Sequence, residues 1–538
     1  MNKLLNNFIN ENTPKVNPDV MNGLASVYLP YVETYLDSVM KSASKGFPDG
    51  LEYVGYQKCT PAEEYTETTK DRNNKRVYNL ARSDVYMVKY IFKYRGIELP
   101  PRYVSLPYSE EAGIIYLGGS RFHIKPVLSD KVISPGLDIV FVRLLRDKVT
   151  FRRCRHNIII DGKHHLSPVI WSNIYRKAKD PKKTPITTKA ETCLIHYLLA
   201  RYGFTEMCQR MLGFVPIVGA DEITEETYPS DKWIICQSMR MKPKTSKDLV
   251  YISSDIKIAI PREKWSFLVE SVVAGVYYVI DHFPARIRPN YMNNTTLWSV
   301  LLGNIIFSGV YSEGKLFEDI KEHFNSLNDY VDVIVTKKLA EGGYVINTFY
   351  ELLELIVDKF NIWVLQPGTS STSVYGKTME ILYYVVYDIT SGIFRANFRL
   401  NKMATRKVLS EKEIKEIFNK QFTPGAIFQL NSGKISVEAV SYSGDHKFPK
   451  ITSVVSEQEN VSGNNPGQKQ RVTVGEDKRL HHSMIEAGSL LGMPKTNPTP
   501  NVRINPYISL NLGNGTIEAN PALKDLLESV GEKLKIAG

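Results

Sequence analysis

The residues best equipped for chemistry crowd into the stretch 150–165, TFRRCRHNIIIDGKHH. Thiolate and imidazole together suit zinc, which prefers four ligands. Asp161-Gly162 fits a two-residue hairpin turn, and that turn fixes a register. Ile160 faces Lys163, Ile159 faces His164, Ile158 faces His165 and His156 faces Ser167. Side chains alternate along a strand, so Cys154, His156, Ile158 and His165 share one face and Arg153, Arg155 and Asn157 the other. Cys154, His156 and His165 are therefore the candidate metal ligands. Cys193 and His196, at i and i+3 on the next expected helix, could complete the set. The spacing matches no paired CxxC pattern. The simpler reading packs Cys154 as a small hydrophobe with the histidines near the sheet edge. No cofactor is expected, zinc being the weaker alternative. A nuclease core needs convergent carboxylates or a metal with a histidine base, and no second carboxylate can be placed beside Asp161.

The same stretch is strongly basic. Arg143, Arg146, Lys148, Arg152, Arg153 and Arg155 lie close together, and the connection 176–189 adds Lys182 and Lys183. Arginines along a twisted sheet can meet successive phosphates, and each phosphate neutralised releases counterions. Trp171 and Tyr175 are placed to stack on unpaired bases. A solvated, salt-bridged strand is the competing reading.

A second basic group lies in GIFRANFRLNKMATRK, 392–407. Arg395, Arg399, Lys402 and Arg406 fall at i, i+4, i+7 and i+11. On a helix this puts four cations on one face with no acid between them, an arrangement that favours an anionic partner. Phe394 and Phe398 flank the stripe and are expected to anchor it to the core. A solvated face or an acidic protein partner is the alternative.

A third group resembles a phosphate loop. Gly376, Lys377 and Thr378 occupy the last three positions of a Walker A pattern, expected to open a helix over 378–404. Ser371 stands where the first glycine belongs, and Gly368 comes three residues too early. No downstream apolar strand ends in an Asp suited to magnesium. Asp281 and His282 adjoin near the end of an apolar helix and read as a helix-end arrangement. There is no Gly-x-Ser-x-Gly elbow, no His-Glu-x-x-His and no dinucleotide fingerprint, and no catalytic residue is assigned.

These groups need elements to hold them. Helical spacing is expected over 17–45 and 83–94, and strands dominate 102–171, punctuated by Gly-Gly, Pro-Gly and Asp-Gly. A helix over 188–212 ends near Gly213. Further helices are expected over 263–283, 295–308, 315–340 and 347–360, then after a Ser410/Glu413 capping box. A hairpin is expected near 425–442, a polar linker over 454–475, and short helices near 477–491 and 521–535. The fold class expected is α+β: a predominantly helical multi-domain protein with a β-rich module near 102–171. The division is 1–100, 101–187, 188–260, 261–452, a linker 453–476 and a C-terminal segment 477–538.

The 538 residues are 43% hydrophobic, enough for an extensive core. A net charge of +11 favours polyanionic partners. Five cysteines in so long a chain do not form a disulfide framework, which points to a reducing compartment. The windows FLVESVVAGVYYVIDHF and LWSVLLGNIIFSGVY read as buried helices rather than membrane spans, and the start shows no apolar run of signal-peptide length. This texture, rich in Lys, Asn and Tyr and without a standard enzyme motif, resembles uncharacterised proteins of large tailed bacteriophages. The resemblance implies service in replication, transcription or the virion. The expected function is a nucleic-acid-binding accessory factor in phage DNA or RNA metabolism, largely sequence-independent. It would sit in the cytoplasm of the infected cell among phage or host replication and transcription proteins. A virion assembly protein, and a nuclease or degenerate P-loop NTPase, are the alternatives.

Overall fold

The structure is a computed structural model. It describes residues 27–70, 85–109, 113–178, 187–239, 254–421 and 501–521 with short breaks, together with 437–439, 453–456 and isolated positions elsewhere. The architecture is α+β.

The N-terminal part holds α1 (Val32–Ser44), β1 (Leu51–Lys58), α2 (Pro61–Lys70), β2 (Val85–Tyr94), β3 (Ile97–Glu98) and β4 (Arg102–Pro107). The strands form one antiparallel sheet around β2. The helix expected over 83–94 is thus a strand. Val88, Tyr90, Phe92 and Tyr94 are buried while the residues between them are partly exposed. That two-residue period, carried by β-branched and aromatic side chains, fits a strand and not a helix.

Next come β5 (Ile114–Leu117), β6 (Ser120–Ile124), β7 (Val127–Asp130), β8 (Ile133–Gly136), β9 (Ile139–Arg143), β10 (Lys148–Ile160), β11 (Lys163–Ala178) and β12 (Thr187–Cys193). They are followed by α3 (Leu194–Leu212), β13 (Ile217–Gly219), β14 (Trp233–Ser238) and β15 (Lys257–Pro261). An eight-stranded sheet runs β12-β11-β10-β14-β15-β13, and β9 and β8 extend it from the first half of β10. Strand structure therefore reaches well beyond 171. The β10–β11 register is the one the Asp-Gly turn dictates, with Ile160 opposite Lys163 and His156 opposite Ser167. Asp161 and Gly162 both have positive φ, 47° and 73°, as a turn matched to the strand twist requires.

The helix expected from Thr188 starts only at Leu194, because Thr187–Cys193 pairs with β11. Gly213 closes it in the left-handed conformation, its N–H bonded to Gln209 O at 3.1 Å. Inside α3, Gly203 adopts φ 74° and ψ 177° and breaks the helix. The second half restarts on an outside anchor: Asn293 Oδ1 accepts from the N–H of Thr205 at 2.8 Å, and Met292 O from that of Phe204 at 3.1 Å.

The helical part comprises α4 (Phe267–His282), α5 (Thr295–Ile306), α6 (Glu313–Leu327), α7 (Val333–Glu341) and α8 (Phe349–Leu365). Ser266 caps α4 by accepting from the N–H of Val269, and Asn294 caps α5 through that of Leu297. The single helix expected over 315–340 is two, α6 and α7. The first apolar window lies in α4 and the second begins in α5, both mostly buried, and among the described residues no helix is long and apolar enough to cross a membrane.

Beyond these lie β16 (Lys377–Glu380), α9 (Leu382–Val385), α10 (Tyr387–Ala404), α11 (Glu411–Gln421), β17 (Val437–Ala439), β18 (Ser453–Ser456), β19 (Asn501–Arg503), β20 (Ser509–Asn511) and β21 (Thr516–Glu518). A six-stranded sheet, β19-β18-β7-β16-β21-β20, draws strands from distant parts of the chain. Val454–Ser456, expected within a linker, instead lies in β18 parallel to β7. Of the hairpin expected near 425–442 only β17 is described, and it pairs with β6. The helices expected near 477–491 and 521–535 lie outside the described residues apart from isolated positions. A continuous apolar core runs from Leu29 to Ile517, with Trp298, Tyr197 and Tyr277 among its largest buried side chains.

Candidate nucleic-acid interface

The β10–β11 hairpin separates its side chains as the register requires. His156 is buried, Cys154 is half-buried, and Arg155 and Asn157 are exposed on the opposite face. His156 Nε2 lies 2.7 Å from Asp281 Oδ2, and the other carboxylate oxygen accepts from the hydroxyl of Ser238. The His156 ring also meets Tyr278 edge-on at 5.4 Å. Asp281 thus ties α4 to β10 and β14 at once, a role the sequence assigned only to a helix end. His282 Nδ1 bonds back to Tyr278 O at 2.8 Å.

The five candidate metal ligands do not converge among the described residues. His165 is exposed at the far end of its strand pair. His196 is fully buried, with Nε2 3.0 Å from Trp298 O, and burial lowers its pKa to about 3. Cys193 is buried as well, and burial pushes its thiol up to about 12, away from the thiolate that zinc needs. No group of three His, Cys, Asp or Glu side chains poised for a metal occurs among the described residues. Asp161 holds the hairpin tip down: its Oδ1 accepts from the N–H of Ile235 at 3.1 Å and its Oδ2 from Arg262 at 2.5 Å.

Of the strand arginines, Arg152 and Arg155 are exposed and make no ion pair among the described residues, whereas Arg153 is ion-paired to Asp138. Arg152 and Arg155 point to opposite faces of β10, so they do not form a single row. Arg143 is taken up inside, 5.0 Å from the Tyr383 ring and bonded to the Tyr384 hydroxyl at 2.5 Å. Trp171 packs against Tyr278 at 5.7 Å rather than standing free to stack. Lys182 and Lys183 lie outside the described residues.

Gly376, Lys377 and Thr378 do not make a phosphate loop. Gly376 ends a short 3-10 turn, and Lys377 and Thr378 begin strand β16 where a phosphate loop would begin a helix. Lys377 Nζ is bound to Asp130 Oδ1 at 2.6 Å, with both side chains largely buried. The lysine that would reach a phosphate is spent on a cross-strand ion pair with β7, its direct neighbour in register.

Three of the four residues of the expected stripe fall on α10. Arg395, Arg399 and Lys402 are exposed on α10, and Arg406 lies outside the described residues. The opposite face is buried through Ile393, Phe394, Ala396 and Leu400. Asn397 and Asn401 dock α10 on α1, their amides donating to Ala43 O at 3.3 Å and Gly46 O at 2.6 Å. Ala43 belongs to the last turn of α1, and Gly46 lies just beyond its end. Phe394 is the anchor expected, but Phe398 is not: it is 52% exposed. At about 100° per residue, Phe398 falls between the anchor and Lys402, so Arg395, Phe398, Arg399 and Lys402 share an arc of about 100°. Sequence reasoning missed Phe398 because an i, i+4 aromatic pair usually shares the buried side. The four-residue step carries it some 40° past Phe394, out of the buried arc.

The arrangement offers guanidinium and ammonium groups for phosphates and one exposed ring for a base. No curated protein matches the chain. A family model described as non-virion RNA polymerase subunit matches residues 1–532, so nearly the whole chain is covered and the chain belongs to that family.

Proposed function

We propose that the protein serves phage transcription as a polymerase subunit that grips nucleic acid by its phosphates, through the exposed face of α10. The observation that carries this reading is the exposure of Arg395, Phe398, Arg399 and Lys402 together on one rigid helix. Three cations without an intervening acid destabilise a bare helix, and an anionic backbone offsets that cost. An exposed aromatic ring beside them adds stacking that tolerates any base. Phosphate contacts position a nucleic acid without reading it, which fits a subunit that must stay engaged along a moving template. Arg152 and Arg155 on β10 are secondary contacts. The partners are DNA or RNA and the remaining polymerase subunits, in the cytoplasm of the infected cell. The family's description as non-virion weighs against the virion-assembly alternative.

The test is a binding series over salt with the full chain and unrelated single-stranded and duplex sequences. Arg395→Gln with Arg399→Gln should flatten the salt slope by about 1.4 on single strands and about 1.8 on duplex. The loss should be similar for every sequence. A double variant with the wild-type slope would remove α10 from the interface.

A further inference from the structure

A cavity of about 740 Å³ opens where α1, α7, β16 and the β20–β21 turn meet. Pockets of roughly 300–1,000 Å³ hold small ligands the size of a nucleotide. Its lining is rich in tyrosine: Tyr28, Tyr31, Tyr35, Tyr344 and Tyr383 all face it, with Lys131 and Lys337. We propose that this cleft receives one unpaired nucleotide, its base among the tyrosines and its phosphate on Lys131 and Lys337. The proposal extends the nucleic-acid reading to a second site with different chemistry, and its test separates the two.

Three features support a nucleotide over a purely apolar occupant. First, the aromatic groups are held in place. The Tyr28 hydroxyl donates to Leu512 O at 2.5 Å, and the Tyr344 ring sits edge-on to Trp363 at 5.8 Å. Fixed rings stack on a base with little ordering cost. Second, the polar groups divide by depth. Inside the cleft Lys338 is ion-paired to Glu380, and Arg143 lies 4.0 Å from the same carboxylate, so the floor is internally neutralised. Lys131 and Lys337 are exposed and make no ion pair among the described residues, and together they outnumber Glu341, the exposed carboxylate that lines the cleft beside them. Two uncommitted ammonium groups at the rim of an aromatic cleft fit a phosphodiester. Third, α1 reaches the cleft from its N-terminal end, through Tyr35 and the preceding Tyr31, and receives α10 at its C-terminal end. A single strand held on the α10 stripe therefore has a base receptor on the adjoining helix.

The source of the nucleotide, a strand or a free mononucleotide, is decided by experiment. The full chain is titrated with a fluorescent eight-residue single strand, with the same sequence as duplex, and with unlabelled uridine monophosphate as competitor. Two cleft variants are compared with the α10 double variant, with circular dichroism as folding control. Tyr31 is 61% exposed, so Tyr31→Ala removes ring and not core. It should weaken single-strand binding about tenfold, as loss of one base–aromatic stack does, and leave the salt slope unchanged. Lys131→Gln with Lys337→Gln should flatten the single-strand slope by up to about 1.4. Neither should alter duplex binding, which the α10 variant alone weakens. Competition by the mononucleotide, abolished by Tyr31→Ala, would assign the cleft to a free nucleotide and keep the chemistry. Folded cleft variants that bind every probe as the wild type does, while the α10 variant is impaired, would overturn the cleft and spare the stripe. Absence of all binding in the wild type would overturn both.

Discussion

Lys377 shows how a residue's chemistry depends on its partner. In sequence it completes Gly-Lys-Thr; in the fold it is an ion-pair member whose carboxylate comes from 247 positions away. No local pattern reveals such a partner. Lys377→Ala should remove the ion pair from the largely buried Asp130 and cost about 3 kcal/mol of stability, toward the lower end for breaking a buried pair. Denaturant unfolding checks this, and measured ATP turnover in the wild type that vanishes in the variant would instead restore the phosphate-loop reading. His156 and Asp281 are likewise 125 positions apart. The buried histidines give a pH signature. Burial lowers His196 to about 3 and His323 to about 4, against about 6.5 in an unfolded chain. The unfolded state therefore binds more protons below pH 6.5, and stability is full above that value and lost as pH falls toward 4. The melting temperature should drop between pH 6.5 and 5, before most carboxylates titrate, and His323→Gln should make that drop shallower. An unchanged pH profile in the variant would show that His323 does not set it.

Elements were legible where their signals are local. The Asp161-Gly162 turn fixed a hairpin register over ten residue pairs. The Ser410/Glu413 box forms as written, with Glu413 Oε2 accepting from Ser410 N at 3.0 Å and the Glu413 N–H reaching Ser410 Oγ at 3.4 Å. Ser410→Ala should therefore cost about 1 kcal/mol, measured by chemical denaturation. β2 was misread because its apolar residues also suit a helix by count, and only sheet pairing with β1 and β4 decides its period. β12 was absorbed into α3 for the same reason: its pairing partner, β11, decides its state. The break at Gly203 escaped notice because a lone glycine is tolerated in most helices. Here ψ of 177° at positive φ suits glycine almost alone, and an added Cβ would lie 3.2 Å from the Asn293 backbone. Gly203→Ala should cost about 1–3 kcal/mol or more, read as a lowered denaturation midpoint. A neutral outcome would mean that α3 can run straight.

At the scale of the whole molecule, the net charge of +11 favoured a polyanionic partner and the texture gave the α+β class, without saying which machine the chain serves. The six-stranded sheet was invisible in sequence because it joins β7 near residue 130 to strands beyond 500. The stripe on α10 was visible because one helix contains it, and the cleft was not because several elements build it. The central claim is that α10 faces nucleic acid inside a working polymerase. The direct measurement is photo-crosslinking in the assembled, transcribing enzyme, with a benzophenone side chain replacing Phe398 and, as a control, the exposed Val345. The account predicts an adduct with template or transcript from position 398 that is lost when Arg395 and Arg399 are glutamine. An adduct from position 398 to another protein subunit alone would contradict it.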